Sequence, residues 1–221
     1  MKNLTKKDII GLLNTDTPTI LDIGTYDGKD SREILFLCPK ANIHAFECDP
    51  RSLELFKSFE ENKKINLHEF ALSDKTGEID FFLSDSETRR HYPSQTSWSA
   101  SSSIKPAKTH LELFPDVDFK RSIKIQSKTL DVWATENNIE KIDFIWADLN
   151  GGEHDFVAGA LETLNSKTRY IYIEVSNREL YEGQKTKEDL IKALPNFDEI
   201  FYFSNFGNFG NVLLKNRKIN G

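Results

Sequence analysis

Thr19-Ile20-Leu21-Asp22-Ile23-Gly24-Thr25-Tyr26-Asp27-Gly28 is an apolar run that ends at an acid and then turns through two glycines. The pattern predicts a buried strand entering a loop, because a strand covered on both faces reads as a continuous apolar run. About twenty residues on, Ala41-Asn42-Ile43-His44-Ala45-Phe46-Glu47 repeats it, with a helical segment between. Together they make a strand–helix–strand unit, half of a nucleotide-binding sheet.

The glycine spacing narrows the nucleotide. A dinucleotide site needs Gly-x-Gly-x-x-Gly so that backbone can approach a pyrophosphate at a helix N-terminus. Here the spacing is Asp22-x-Gly24-x-x-x-Gly28. A carboxylate beside the turn repels pyrophosphate and suits a ligand carrying an ammonium and a sulfonium, which points to S-adenosylmethionine (SAM). Asp22, Gly24, Thr25, Tyr26 and Gly28 are therefore candidate cofactor-binding residues. Glu47, at the tip of the second strand and followed by Cys48, is placed to accept hydrogen bonds from both ribose hydroxyls. The plainer alternative is that Asp22 and Glu47 merely end strands; their pairing one strand–helix–strand apart favours the ligand.

The 221 residues fit one domain spanning 1–221, long enough to bury a core without a metal or disulfide staple. Net charge is −6, and no Lys/Arg run exceeds two residues. Neither a duplex-binding face nor an anionic membrane surface is expected. Cys38 and Cys48 match no metal-ligand or redox spacing and read as reduced, packed thiols. The first residues are too polar for a signal peptide, and no run is long enough to span a bilayer, so a soluble cytoplasmic protein is expected. A homo-oligomer is compatible with all of this.

Residues 5 to 14 predict a cover helix, and Asp30 to Leu37 the crossover helix, which stops before Pro39. Asp49-Pro50 supplies a cap and a first-position proline for the next helix. A third strand is expected at Ile65 to Phe70. Ala71-Leu72-Ser73-Asp74 then falls where a doubly wound sheet binds its ligand, either framing an adenine through Ala71 and Leu72 or forming a polar turn. Glu78 to Leu83 and Ile123 to Gln126 alternate like strands. Between them lies a Ser-rich insertion at about 84–120, whose first part, Ser84 to Ser103, embeds Arg89, Arg90, His91, Tyr92 and Trp98. A loop of that length either covers a substrate or stays disordered, and its aromatic and hydroxyl side chains suit a polyol.

Ile142-Asp143-Phe144-Ile145-Trp146-Ala147-Asp148 is a second apolar run ending in an acid, followed by Leu149-Asn150-Gly151-Gly152-Glu153. In a doubly wound sheet this strand neighbours the first, so Asp148 is expected to face the same crevice as Asp22. Glu153 opens a helix expected to run through Phe156, Val157, Ala160, Leu161 and Leu164, and an acid there also offsets the helix dipole. Arg169 to Val175 is a further strand, with Glu174 either reaching the acceptor or solvated at the strand end. Thr186-x-x-Asp189 opens another helix as a capping box. The strands at Ile200 to Phe203 and Asn211 to Leu214 predict an antiparallel hairpin that closes the sheet.

The order and spacing of these motifs resemble the FkbM-type SAM-dependent methyltransferases, a family that typically methylates hydroxyl oxygens on sugars or natural products. The resemblance rests on Leu21-Asp22-Ile23-Gly24 with Gly28, Ala45-Phe46-Glu47-x-Asp49-Pro50, Ala71-Leu72-Ser73-Asp74 with Gly77, and Thr129-Leu130-Asp131. Its most specific part is Ile142-Asp143-Phe144-Ile145-x-x-Asp148-x-x-Gly151-x-Glu153 with Gly159-Ala160, and Gly210-Asn211-Val212-Leu213 also fits. Two positions depart from it: Tyr26 stands where many relatives have Asn, and Trp146 where many have Lys. The resemblance implies the Rossmann-like class I methyltransferase fold, an α/β fold whose seven-stranded, mostly parallel sheet has its last strand antiparallel and helices on both faces.

Transfer of a methyl group to an alcohol needs alignment and a base. Asp148 is the candidate nearest the reaction, as base or as the group orienting the acceptor or the SAM ammonium. Glu153 is its helper and His154 an alternative base, as are His91 and His110. The acceptor expected is a hydroxyl of a small molecule or glycan, not a nucleic acid. No His/Asp cluster has metal-ligand spacing, so no metal is predicted. A nicotinamide-dependent sugar enzyme, or a degenerate fold serving as a binding module, are the rival readings.

Overall fold

The computed structural model describes residues 4–89, 97–205 and 209–219. The chain opens on α1 (Lys6–Leu13), where Thr5 and Asp8 form a reciprocal capping box. β1 (Thr19–Ile23), α2 (Lys29–Leu37) and β2 (Asn42–Phe46) build the strand–helix–strand unit. α3 (Pro50–Ser58) starts as its sequence predicts: the Asp49 side chain accepts from the Arg51 N–H, and Pro50 occupies the first turn. A 3₁₀ turn (Glu60–Lys64) leads to β3 (Asn66–His68), shorter than the expected 65–70.

Then follow β4 (Ala71–Leu72), β5 (Gly77–Asp85), α4 (His110–Leu113), β6 (Asp118–Lys128) and α5 (Leu130–Glu136). After them come β7 (Ile142–Ala147), α6 (Glu153–Ala158), α7 (Leu161–Lys167), β8 (Thr168–Ser176), α8 (Lys187–Ala193), β9 (Phe197–Asn205) and β10 (Phe209–Asn216).

Seven strands form one sheet in the order β3-β2-β1-β7-β8-β10-β9, and β10 runs antiparallel to both of its neighbours. The strand order reverses between β1 and β7, which opens a crevice at their carboxyl ends. β4, β6 and β5 make a separate three-stranded sheet beside that edge. Sequence periodicity finds the strands at 78–83 and 123–126, but their assignment to a second sheet depends on pairing between distant segments.

The central strands are buried on both faces, which explains their unbroken apolar runs. One face packs Leu21, Ile23, Ile145, Ile171 and Val212 against Trp133, Phe156, Leu164 and Leu190 of α5 to α8. The other packs Ile20, Ile43, Phe144, Tyr172 and Leu213 against Ile9, Leu13, Ile34 and Phe56 of α1 to α3.

The helix expected from Glu153 to Leu164 is two helices, α6 and α7, broken at Gly159-Ala160. A Cβ on Gly159 would stand 2.0 Å from the Ser73 carbonyl oxygen, so the backbone of the β4 loop occupies that space. Asp131 completes the break: its carboxylate accepts from the N–H groups of Glu162 at 3.2 Å and Thr163 at 2.7 Å, capping α7 from a different helix.

Candidate active site

The carboxyl edge of the large sheet opens into a cleft of about 590 Å³, within the size range of small-molecule sites. Its shape begins with backbone contact. Gly24 follows β1 with φ +79°, and a Cβ there would stand 1.9 Å from the Asp148 carbonyl oxygen. Only glycine allows the two loops at the switch point to touch, and it leaves Gly24 open to the cleft. Tyr26 also has positive φ, +56°, a conformation in which Asn is at ease and a bulky side chain is strained. The tyrosine ring leans towards Trp98, with centroids 6.3 Å apart.

Register explains which acids share the opening. Asp22 pairs with Trp146, Trp146 with Tyr172, Tyr172 with Leu213, and Leu213 with Phe201. Side chains alternate along a strand, so the next row on the same face lies two residues nearer the carboxyl edge. That row holds Glu47, Gly24, Asp148, Glu174, Asn211 and Phe203, with Glu174 paired to Asn211 and Asn211 to Phe203.

Glu47 lines the cleft and is held by three backbone donors: Tyr26 N–H at 2.9 Å, Cys48 N–H at 2.7 Å and Asp49 N–H at 2.8 Å. Burial pushes its carboxyl up to about 7, against those N–H groups, which favour the charged form. Asp148 lines the cleft, with surface open to it and the rest of the side chain crowded by protein. That crowding, followed by repulsion from Asp30, raises its pKa to about 6.

Asp22 lies one row beneath the cleft lining and is buried. Its carboxylate accepts from the Thr25 hydroxyl at 2.7 Å and the Ser31 hydroxyl at 2.5 Å, and burial raises it to about 6. From there it ties the end of β1 to the glycine loop and to α2. Gly28 also sits behind the lining, at φ +78°, where a Cβ would meet the Phe56 ring at 2.6 Å.

Thr25, Tyr26, Cys48, Ala71 and Leu72 line the cleft. Glu153 does not: it is buried, its Oε1 accepts from the N–H groups of Leu149 at 3.3 Å and Gly151 at 3.0 Å, and burial raises it to about 7. It holds the loop that carries Asp148. His154 is half-buried on α6 and is not part of the lining. His110 is buried against Phe114, Phe119 and Tyr181, and that apolar setting lowers its pKa to about 4. His91 falls outside the described residues.

The Ser-rich segment, expected either to cover a substrate or to stay disordered, supplies one wall of the cleft through residues that sequence reasoning did not name. Ser99, Ala100, Ser102 and Ile104 line the cleft, and hydrogen bonds from distant segments fix them there. The Ser102 hydroxyl donates to Asp49 at 2.9 Å, Asn150 donates to the Ala100 carbonyl at 3.1 Å, and the Tyr181 hydroxyl donates to the Ser101 carbonyl at 2.9 Å. Residues 97–104 of the Ser-rich insertion are thus a built wall. Phe46 and Phe70, also missed, add apolar surface beside Leu72. For Phe46 a signal existed, since it immediately precedes Glu47 at the strand end.

The residues present fit a SAM molecule. Glu47 lines the cleft with a carboxylate able to accept from a diol, the open Gly24 leaves room for a ligand against backbone, and Phe46, Phe70 and Leu72 offer an apolar slot that a purine would fit. Among the described residues no group of three or more His, Cys, Asp or Glu could hold a metal ion, and no helix is long and apolar enough to cross a membrane.

Fold and site together define a Rossmann-like methyltransferase. Comparison with known proteins agrees. A model described as "Methyltransferase FkbM domain" matches residues 22–208, and the chain belongs to that family. It is 40% identical over 217 residues to the 2-O-methyltransferase NoeI of Sinorhizobium fredii, covering 96% of this chain and 85% of that protein. Among solved structures it resembles a methyltransferase FkbM from Methylobacillus flagellatus (TM-score 0.54, 13% identity, 93% of this chain), of which it spans only 45%. It also resembles the METTL16 methyltransferase domain (TM-score 0.51, 14% identity, 96% of this chain and 64% of that one). At such identities these two likenesses concern the fold. The protein is a methyltransferase.

Proposed function

We propose that the protein transfers the methyl group of SAM to a hydroxyl oxygen of a sugar, glycan or related small-molecule acceptor. The observation that carries this reading is the shared row of Glu47, Gly24 and Asp148 at the switch point, two acids flanking an open glycine in one cleft. The 40% identity to a 2-O-methyltransferase supports oxygen as the acceptor atom. When bound, SAM supplies an electrophilic methyl carbon. Glu47 holds the ribose hydroxyls; Gly24, Thr25 and Tyr26 give backbone to the methionine portion; Ala71, Leu72 and Cys48 border the adenine.

Asp148 takes the proton of the reacting hydroxyl, and its raised pKa suits a base working near neutral pH. Glu153 acts by positioning the Asp148 loop, and Asp22 by fixing the glycine loop. The test is a labelled-methyl screen over nucleotide-sugars, glycans and lipid-linked sugars, run with the native enzyme and with Asp148→Asn. Transfer to a hydroxyl is expected, with turnover reduced about 10²- to 10⁴-fold in the variant while SAM still binds. Turnover unchanged by Asp148→Asn removes that residue from the mechanism.

A further inference from the structure

Glu174 and Asn211 belong to the same row as Asp148, directly paired with each other across β8 and β10. Both are half-buried, and the side chain of neither has a hydrogen-bond partner among the described residues. Polar side chains at such depth are normally paired, so two unpaired neighbours in the row of Asp148, just beyond the residues that line the cleft, mark a place where a ligand can supply the partners. The surroundings are acidic. Glu174 neighbours Asp148 across β7 and β8, and burial, then Asp148 and Glu153, push its carboxyl well above the usual range. The Tyr181 hydroxyl, which also feels these three acids, is committed to the Ser101 carbonyl. Two cations are engaged elsewhere: Lys105 pairs with Asp155 at 2.9 Å, and Lys6 with Asp30 and Glu33.

We propose that Glu174 and Asn211 form the acceptor subsite and that it selects an uncharged polyol, rejecting acceptors that carry a carboxylate or phosphate next to the reacting hydroxyl. A carboxyl and an amide side by side give donors and acceptors for adjacent hydroxyls, the pattern a sugar ring presents. A second anion brought beside Asp148 and Glu174 meets repulsion; Lys29, a cation on the cleft lining with no ion pair among the described residues, stands at the start of α2 next to the glycine loop, on the cofactor side. On the SAM side of the row Glu47 and Gly24 serve the cofactor; on the far side Glu174 and Asn211 serve the acceptor.

This rests on the methyltransferase reading above, and the experiment separates the two. S-adenosylhomocysteine binding is measured first by calorimetry; its absence defeats the reading itself. The loaded protein is then titrated with a panel of neutral methyl hexosides and their matching methyl hexuronides at millimolar concentration. At least one neutral glycoside is expected to bind, with its uronide at least tenfold weaker. Glu174→Gln weakens the neutral ligand tenfold or more, narrows the gap to the uronide, and leaves cofactor affinity within twofold. Asn211→Ala, read in the same way, guards against a folding defect in the first variant. Equal binding of glycoside and uronide, no change in either variant, or no neutral glycoside bound by a protein that binds S-adenosylhomocysteine overturns the proposal.

Discussion

Glu47 shows how one side chain is prepared before any ligand arrives. Three backbone N–H groups orient its carboxylate and leave the cleft side for a diol. Glu47→Gln keeps the shape but replaces an acceptor-only group with one that also donates. Hydrogen bonds to a charged group contribute about 1.5–3 kcal/mol, so SAM affinity should fall about 10- to 100-fold by calorimetry. Affinity within twofold of native would show that Glu47 does not hold the ribose. Glu47 and Asp148 were legible in the sequence because both end apolar runs beside glycine or proline. Asp22 reads in the same way, yet it lies one row back, paired to Thr25 and Ser31, because strand periodicity cannot tell the last inward residue from the first one past the edge. Glu153 likewise turns to its own loop, and His154 stands off the cleft.

At the scale of elements, helix starts follow local chemistry: Thr5, Asp49, Thr129 and Thr186 each accept a hydrogen bond from the turn they open. The caps at Asp49 and Thr186 were readable because a cap and its helix are adjacent in sequence. The break between α6 and α7 was not, since Asp131 and the Ser73 carbonyl enforce it from other parts of the chain. Asp131→Ala removes a cap for two N–H groups and should cost about 1–2 kcal/mol in denaturant unfolding, with SAM affinity unchanged. A loss under about 0.3 kcal/mol would show that α7 does not need this cap. The three-stranded sheet escaped for the same reason, and the sequence left 97–104 between a substrate cover and disorder, because both are fixed by pairings across dozens of residues.

Over the whole molecule, the protein gathers carboxyls whose burial raises their pKa. Glu47 and Asp148 line the cleft with values near 7 and 6, above the ordinary 4.5 and 3.8. A cationic ligand favours their charged forms, so binding at acid pH must expel protons. SAM affinity, and the thermal stabilisation it confers, should therefore rise from pH 5 to 7, with proton release detectable in buffers of different ionisation enthalpy. Affinity flat over that window would mean that these acids do not face the ligand's charge. The same logic gives the most direct test of the central claim, that this cleft is built for a sulfonium donor and not a pyrophosphate. Calorimetry of the native chain with SAM and with NAD at pH 7 is predicted to show one SAM bound per chain and no heat of binding from NAD; binding of NAD, or of neither, would contradict it.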